Sequence, residues 1–186
     1  MLSSIFTEGF HDRYLRPFHK LSDIINYIRH NPHRLLAIKQ SPEFFKRINN
    51  IKINGSLWQA YGNLHLLDNP FKEAVIIHRS DSTQVRDAKI NQWKHLAENG
   101  GVLVSPFISQ PEKEIRRMCE DVQGKIILLT NKPFADREKP ASHDFNLCAQ
   151  DRLLILAPMT TLPAGRDTFI YLNFIAEAIP INFCEK

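Results

Sequence analysis

Four short apolar runs constrain this chain more than anything else in it: Ala74–His78, Val102–Val104, Lys125–Leu129 and Leu153–Pro158. They show little polar alternation, the pattern of strands covered on both faces. Thr83–Asn99, Pro111–Val122 and Ser142–Ala149 lie between them, and a last helical stretch follows from Asp167 to Ile179. Strands that alternate with helices imply parallel pairing through right-handed crossovers. The expected class is α/β, with a four-stranded parallel sheet and helices on both faces. A unit of roughly 130 residues buries about two-thirds of its unfolded surface, sufficient for its own core.

The stretch Asn99–Arg117 shows how these elements are punctuated. Gly100 and Gly101 can take the positive φ that stops a helix. Val102–Val104 follows as a strand, and Ser105–Gln110 leaves its carboxyl end. Pro111 suits a first helical turn, with Glu112 and Glu114 near the positive end of the dipole. In open α/β sheets, ligands bind at the carboxyl ends of strands. The candidate site therefore comprises this loop and the Arg79–Ser82 loop after the first strand.

Charge divides the chain. Residues 1–54 carry nine Lys/Arg against four Asp/Glu, and the whole chain is +4, so residues 55–186 are close to neutral. The first part also holds four of the eight histidines. Helical spacing of Leu21, Ile24, Ile25 and Ile28 and the turn signal Asn54-Gly55 suggest a small basic helical segment over 1–54 and an α/β domain over 55–186. A basic end can serve nucleic-acid phosphates or simply be a solvated surface. No apolar run approaches the ~20 residues of a membrane helix, and Met1–Phe10 lacks the pattern of a secretory signal. Cys119, Cys148 and Cys184 have no metal-like spacing and read as reduced thiols of a cytoplasmic protein.

The residues His11-Asp12-Arg13-Tyr14-Leu15-Arg16, followed by Asn26-Tyr27-Ile28-Arg29-His30-Asn31-Pro32, resemble the C-terminal part of the REP-associated tyrosine transposases. The resemblance covers about residues 8–38. It places Tyr27 at the tyrosine that attacks a DNA phosphate in that family. The family's His-hydrophobic-His metal pair has no counterpart in His11, His19, His30 and His33. Without a metal or base beside it, a tyrosine of pKa ~10 is a poor nucleophile. Tyr27 as an ordinary helix residue is the alternative.

A second resemblance spans about Trp58–Pro158. Gly62-Asn63-Leu64-His65-Leu66-Leu67, then Val75–Ser82, then Asn99–Phe107 is similar to the Rossmann-like core of the DNA-processing protein A (Smf) family. That family binds single-stranded DNA phosphates at strand-end loops. The resemblance implies phosphate-binding roles for Arg79 and Ser105; their place at the strand ends adds Ser80 and Ser109 as candidates, with Lys113 in the following helix. Arg can chelate a phosphate, and serine or exposed N–H groups can donate to it. The pattern departs at His78, where the family has serine, at Pro106-Phe107-Ile108, where it has a glycine-bearing loop, and at Thr130–Phe134, which has no glycine.

Other residues carry alternatives. His78 is a candidate base or a structural histidine. His143, Asp144 and Cys148 invite a Cys-His reading, although on a helix positions 143 and 148 diverge. Lys132, Arg137 and Lys139 form a basic loop. Trp58 and Tyr61 could stack bases or fill the core. There is no G-x-G-x-x-G, no P-loop and no paired-carboxylate constellation, so no cofactor and no metal is expected. Three functions follow: a non-enzymatic protein that binds single-stranded nucleic acid or a nucleotide, a transposase fragment using Tyr27, or a degenerate fold kept for protein contacts.

Overall fold

The computed structural model of the chain describes residues 25, 47–135, 138, 140 and 142–182. Tyr27, the rest of the transposase-like stretch except Ile25, Arg137, Lys139 and Cys184 lie outside the described residues.

The strands are β1 (Ile48–Ile53), β2 (Ser56–Gly62), β3 (Lys72–Ala74), β4 (Val102–Ser105), β5 (Lys125–Leu129) and β6 (Leu153–Pro158). The helices are α1 (Thr83–Glu98), α2 (Gln110–Asp121), α3 (Ser142–Ala149) and α4 (Arg166–Asn182), and a 3-10 turn spans Leu64–Asp68. One six-stranded sheet has the order β1-β2-β6-β5-β4-β3. The pairs β3–β4, β4–β5 and β5–β6 are parallel, as the apolar runs predict.

The expectation of four strands, all parallel, is corrected on two counts. First, β1 and β2 form an antiparallel hairpin that pairs with the outer edge of β6. Asn54 (φ 45°) and Gly55 (φ 76°) make its two-residue turn, the Asn-Gly combination favoured for hairpins with both central residues at positive φ. The turn signal at Asn54-Gly55 thus lies inside the sheet. Ile53, Trp58 and Ala60 from this hairpin are fully buried. Second, the first parallel strand sits earlier than its apolar run suggests. It is Lys72–Ala74, and only Val75 continues it, donating to Val104 O at 2.9 Å. Ala74 aligns with Val104, so Ile76 would align with Pro106, which has no N–H to extend the ladder. Ile76 and Ile77 are released from the sheet.

The parallel strands run in chain order across the sheet. Right-handed crossovers that all advance one way put their helices on one face. Trp93 and Ala97 of α1, Ile115 and Cys119 of α2, and Leu147 and Cys148 of α3 accordingly pack with Leu103, Ile126, Leu153 and Ile155. The alternate residues Val102, Val104, Ile127, Leu129, Leu154 and Leu156 face the other way. There they meet Leu66 and Leu67 of the 3-10 turn and Leu172, Ile175, Ala176 and Ile179 of α4. Helices therefore cover both faces, three on one and α4 on the other. The return of α4 across the sheet to β3 and β4 brings its first turns to the carboxyl ends of those strands.

Gly62-Asn63, central to the family-like motif, is architectural. Asn63 is buried and donates from Nδ2 to Cys148 O at 2.9 Å and Leu153 O at 3.1 Å. It ties the end of β2 to the turn between α3 and β6. Gly62 has φ 97°, and a Cβ there would lie 2.5 Å from Leu153 O. Among the described residues, no helix is long and apolar enough to cross a membrane.

Candidate functional site

The turn after β3 is closed from both sides. Asp81 N–H donates to His78 O at 3.1 Å, and His78 N–H donates to Asp81 Oδ2 at 3.0 Å. Lys89 of α1 donates to the same oxygen at 2.9 Å. The Lys89 hydrogen bond first, and the His78 N–H next, hold the Asp81 carboxyl below its usual range. Ser82 then caps α1 by accepting from Val85 N–H at 3.3 Å. This arrangement leaves Arg79 and Ser80 exposed at the tip of the turn.

The loop after β4 is built differently. Ser105 is fully buried, and its Oγ accepts from Phe107 N–H at 3.1 Å. Phe107 has φ 47° and is buried against α1 and α2. It holds a left-handed conformation that suits glycine, and its side chain belongs to the core on that face of the sheet. At α2, Ser109 Oγ accepts from Glu112 N–H at 3.4 Å, while Glu112 Oε2 accepts from Ile108 N–H at 3.0 Å and Ser109 N–H at 3.1 Å. This is a capping box with a fully buried glutamate. The N–H groups of Ile108 and Ser109, just before the helix, are thus taken by the chain's own carboxylate, and that of Glu112 by the Ser109 hydroxyl.

Between these loops and α4 lies a cleft of about 1010 Å³, lined by Ile76–Ser80, Arg86, Ile108, Ser109, Pro111, Arg166, Phe169, Ile170, Asn173 and Glu177. Its size is that of a large small-molecule site. Its lining holds three arginines, Arg79, Arg86 and Arg166, and one carboxylate, Glu177. The walls are apolar, and Ile108 and Ile170 are about half exposed at 48% and 54%. Two lining atoms, Arg86 Nε and Asn173 Oδ1, are buried without a hydrogen-bond partner among the described residues.

Of the residues singled out from sequence, the cleft brings together His78, Arg79, Ser80 and Ser109. Ser105 is in the core, with its hydroxyl engaged by Phe107, so it presents no group to a phosphate. Lys113 is exposed beyond the first turn of α2 and does not line the cleft. Sequence reasoning missed Arg86, Arg166 and Asn173. Arg86 lies one turn past the Ser82 cap, a position where a helix next to a strand-end loop points back toward it. Arg166 and Asn173 come from α4, whose return across the sheet is a tertiary fact.

The remaining candidates are structural. Trp58 is fully buried, and Tyr61 packs edge-on against Phe134 at 5.4 Å. His143 is 3.0 Å from Glu120 Oε2, while Asp144 pairs with Arg116, which also bonds Glu120 at 2.7 Å. This cluster joins α2 to α3 and engages both His143 and Asp144. Burial pushes the thiols of Cys119 and Cys148 up to about 12, which suppresses their thiolate forms. Among the described residues, no three His, Cys, Asp or Glu side chains are grouped to hold a metal ion.

No family model matches the chain, and no curated protein matches it. Among solved structures, it is similar to DNA processing protein A from Helicobacter pylori, a structure described for its single-stranded DNA binding mode. The two share 20% identity at a TM-score of 0.50, over 73% of this chain and 66% of that one. The likeness concerns the α/β fold, and this chain spans just under two-thirds of that protein's length.

Proposed function

We propose that this chain binds single-stranded DNA, or a nucleotide unit of it, without catalysing a reaction on it. The observation that carries the reading is the arginine-lined, apolar-walled cleft at the carboxyl ends of β3 and β4. Arg79, Arg86 and Arg166 supply charge and bidentate donors for phosphate, the chemistry in which Arg excels. Apolar walls suit the faces of unpaired bases. The fold is similar to that of a protein described as binding single-stranded DNA, which supports the choice of ligand. Ser80, at the tip beside Arg79, contributes a hydroxyl. Ser109 serves the cleft through its cap, and Lys113 acts at most through its charge.

A strand that places one phosphate on each of the three arginines gives a log–log salt slope of about −2 for single-stranded binding. Fluorescence anisotropy with a labelled single strand at low salt tests this. Arg79→Ala is expected to weaken binding at least about tenfold, since a charge-assisted hydrogen bond contributes ~1.5–3 kcal/mol. It should also reduce the slope by about 0.7. The loss should be similar for all sequences, because phosphate contacts carry no base information. No binding by the wild type, or identical binding by both proteins, refutes the reading and leaves a fold kept for protein contacts.

A further inference from the structure

His78 is exposed just past the carboxyl end of β3 and lines the cleft with Arg79 and Ser80. Both of its backbone groups are used inside the turn: its N–H donates to Asp81 Oδ2 at 3.0 Å, and its O accepts from Asp81 N–H at 3.1 Å. The imidazole is the polar group that remains, and it has no hydrogen-bond partner among the described residues. Among the lining residues, His78 alone is of the type whose charge ordinarily changes between pH 5 and 8. Its charged neighbours come from three elements. Arg79 and Asp81 share its turn, α1 brings Arg86 to the lining and Lys89 to Asp81, and α4 brings Arg166 and Glu177. The loop between β4 and α2 adds Ile108, Ser109 and Pro111 to the lining, none of them charged. After the Lys89 hydrogen bond and the His78 N–H, the charged form of the His78 ring also helps to lower the Asp81 carboxyl.

We infer that His78 is a fourth, proton-gated cation of the cleft, which binds a phosphate of the strand through its ring and makes strand binding stronger as pH falls. This rests on the single-strand reading above and adds regulation by pH to it. An imidazole offers one N–H donor when neutral, and two donors with a positive charge when protonated. A phosphate diester only accepts, so it gains most from the protonated ring. The phosphate in turn favours the charged form of the ring, and strand binding therefore takes up a proton. Arginine keeps its charge throughout the neutral range, so Arg79, Arg86 and Arg166 hold the strand at any pH in it. His78 alone modulates the hold.

The test is anisotropy with a labelled oligo-dT and the full chain, at pH 6 and pH 8 and constant ionic strength. The wild type is expected to bind at least about fivefold more tightly at pH 6, where the ring adds a charge-assisted hydrogen bond. Its log–log salt slope should steepen by up to about 0.7. His78→Gln should match the wild type at pH 8 and lose most of the gain at pH 6. His78→Lys should bind at pH 8 as tightly as the wild type does at pH 6. A gain that persists in full in His78→Gln overturns the inference and assigns the dependence to other histidines. Equal wild-type affinity at the two pH values also overturns it and leaves the arginine cleft intact. Binding at neither pH overturns the cleft reading, and the role of His78 with it. A second readout needs no variant: on addition of oligo-dT at pH 7, the His78 ring signals in an NMR spectrum should move toward the imidazolium position. Ring signals that stay in place at saturating strand overturn the inference.

Discussion

Glu112 offers the sharpest test of how the strand-end loop is built. Its Oε2 receives Ile108 N–H at 3.0 Å and Ser109 N–H at 3.1 Å, and its side chain is fully buried. Hydrogen bonds to a charged acceptor contribute ~1.5–3 kcal/mol each, which sets a ceiling of roughly 6 kcal/mol for the pair. Burying a carboxylate costs several kcal/mol, and Glu112→Ala removes that penalty along with the bonds. The favourable helix dipole, ~0.3–1 kcal/mol, is lost as well. A net destabilisation of about 2–3 kcal/mol is expected, above the ~0.5–2 kcal/mol of an ordinary N-cap. Glu112→Gln retains an acceptor oxygen and should lose only about 1 kcal/mol. Urea denaturation measures both, read as a shift of midpoint at constant m-value. Added sulfate should stabilise Glu112→Ala more than the wild type, because it can occupy the freed N–H groups. A loss in Glu112→Ala below about 0.5 kcal/mol, with no excess sulfate effect, refutes the claim that this carboxylate holds the helix start.

Further predictions concern the frame of the cleft. Gly62→Ala should reduce stability by more than about 3 kcal/mol or prevent folding, since a Cβ at φ 97° meets Leu153 O at 2.5 Å and Cys148 Sγ at 2.9 Å and combines backbone strain with overpacking; thermal melts check this. In a Cys184→Ser variant, Cys119 and Cys148 should resist a thiol reagent at neutral pH until denaturant is added, because burial raises both to about 12. The Asp81 carboxyl is lowered by Lys89 and His78 N–H. Its contribution to the β3–α1 turn is therefore present above the unfolded carboxyl pKa and lost as pH falls through the lower folded value. Amide exchange at His78 should accelerate only in that acid window, and an unchanged rate through it contradicts the assignment.

The parallel core was legible because its strands are buried on both faces and their apolar runs are uninterrupted. The hairpin was less so: β1 carries polar Asn49 and Asn50, and Asn50 sits at φ 63° where the pairing register shifts. Its Asn-Gly turn reads equally well as a linker until the pairing with β6 is known. Val75–His78 looked like strand because composition does not report that Pro106 opposite cannot donate. At the site, Arg79 could be identified from its place after the first strand. Ser105 could not be recognised as a core residue, since its hydroxyl is consumed locally by Phe107. Arg86, Arg166 and Asn173 line one cleft through the path of α4, which no spacing in the sequence encodes.

The central claim is that nucleic acid enters between α4 and the strand-end loops. Amide chemical-shift mapping during titration with a short single strand tests it most directly. The account predicts perturbations concentrated at residues 76–80, 86, 108–111 and 166–177. Shifts confined to the β1–β2 hairpin or to α3, or none at saturating strand, would contradict it.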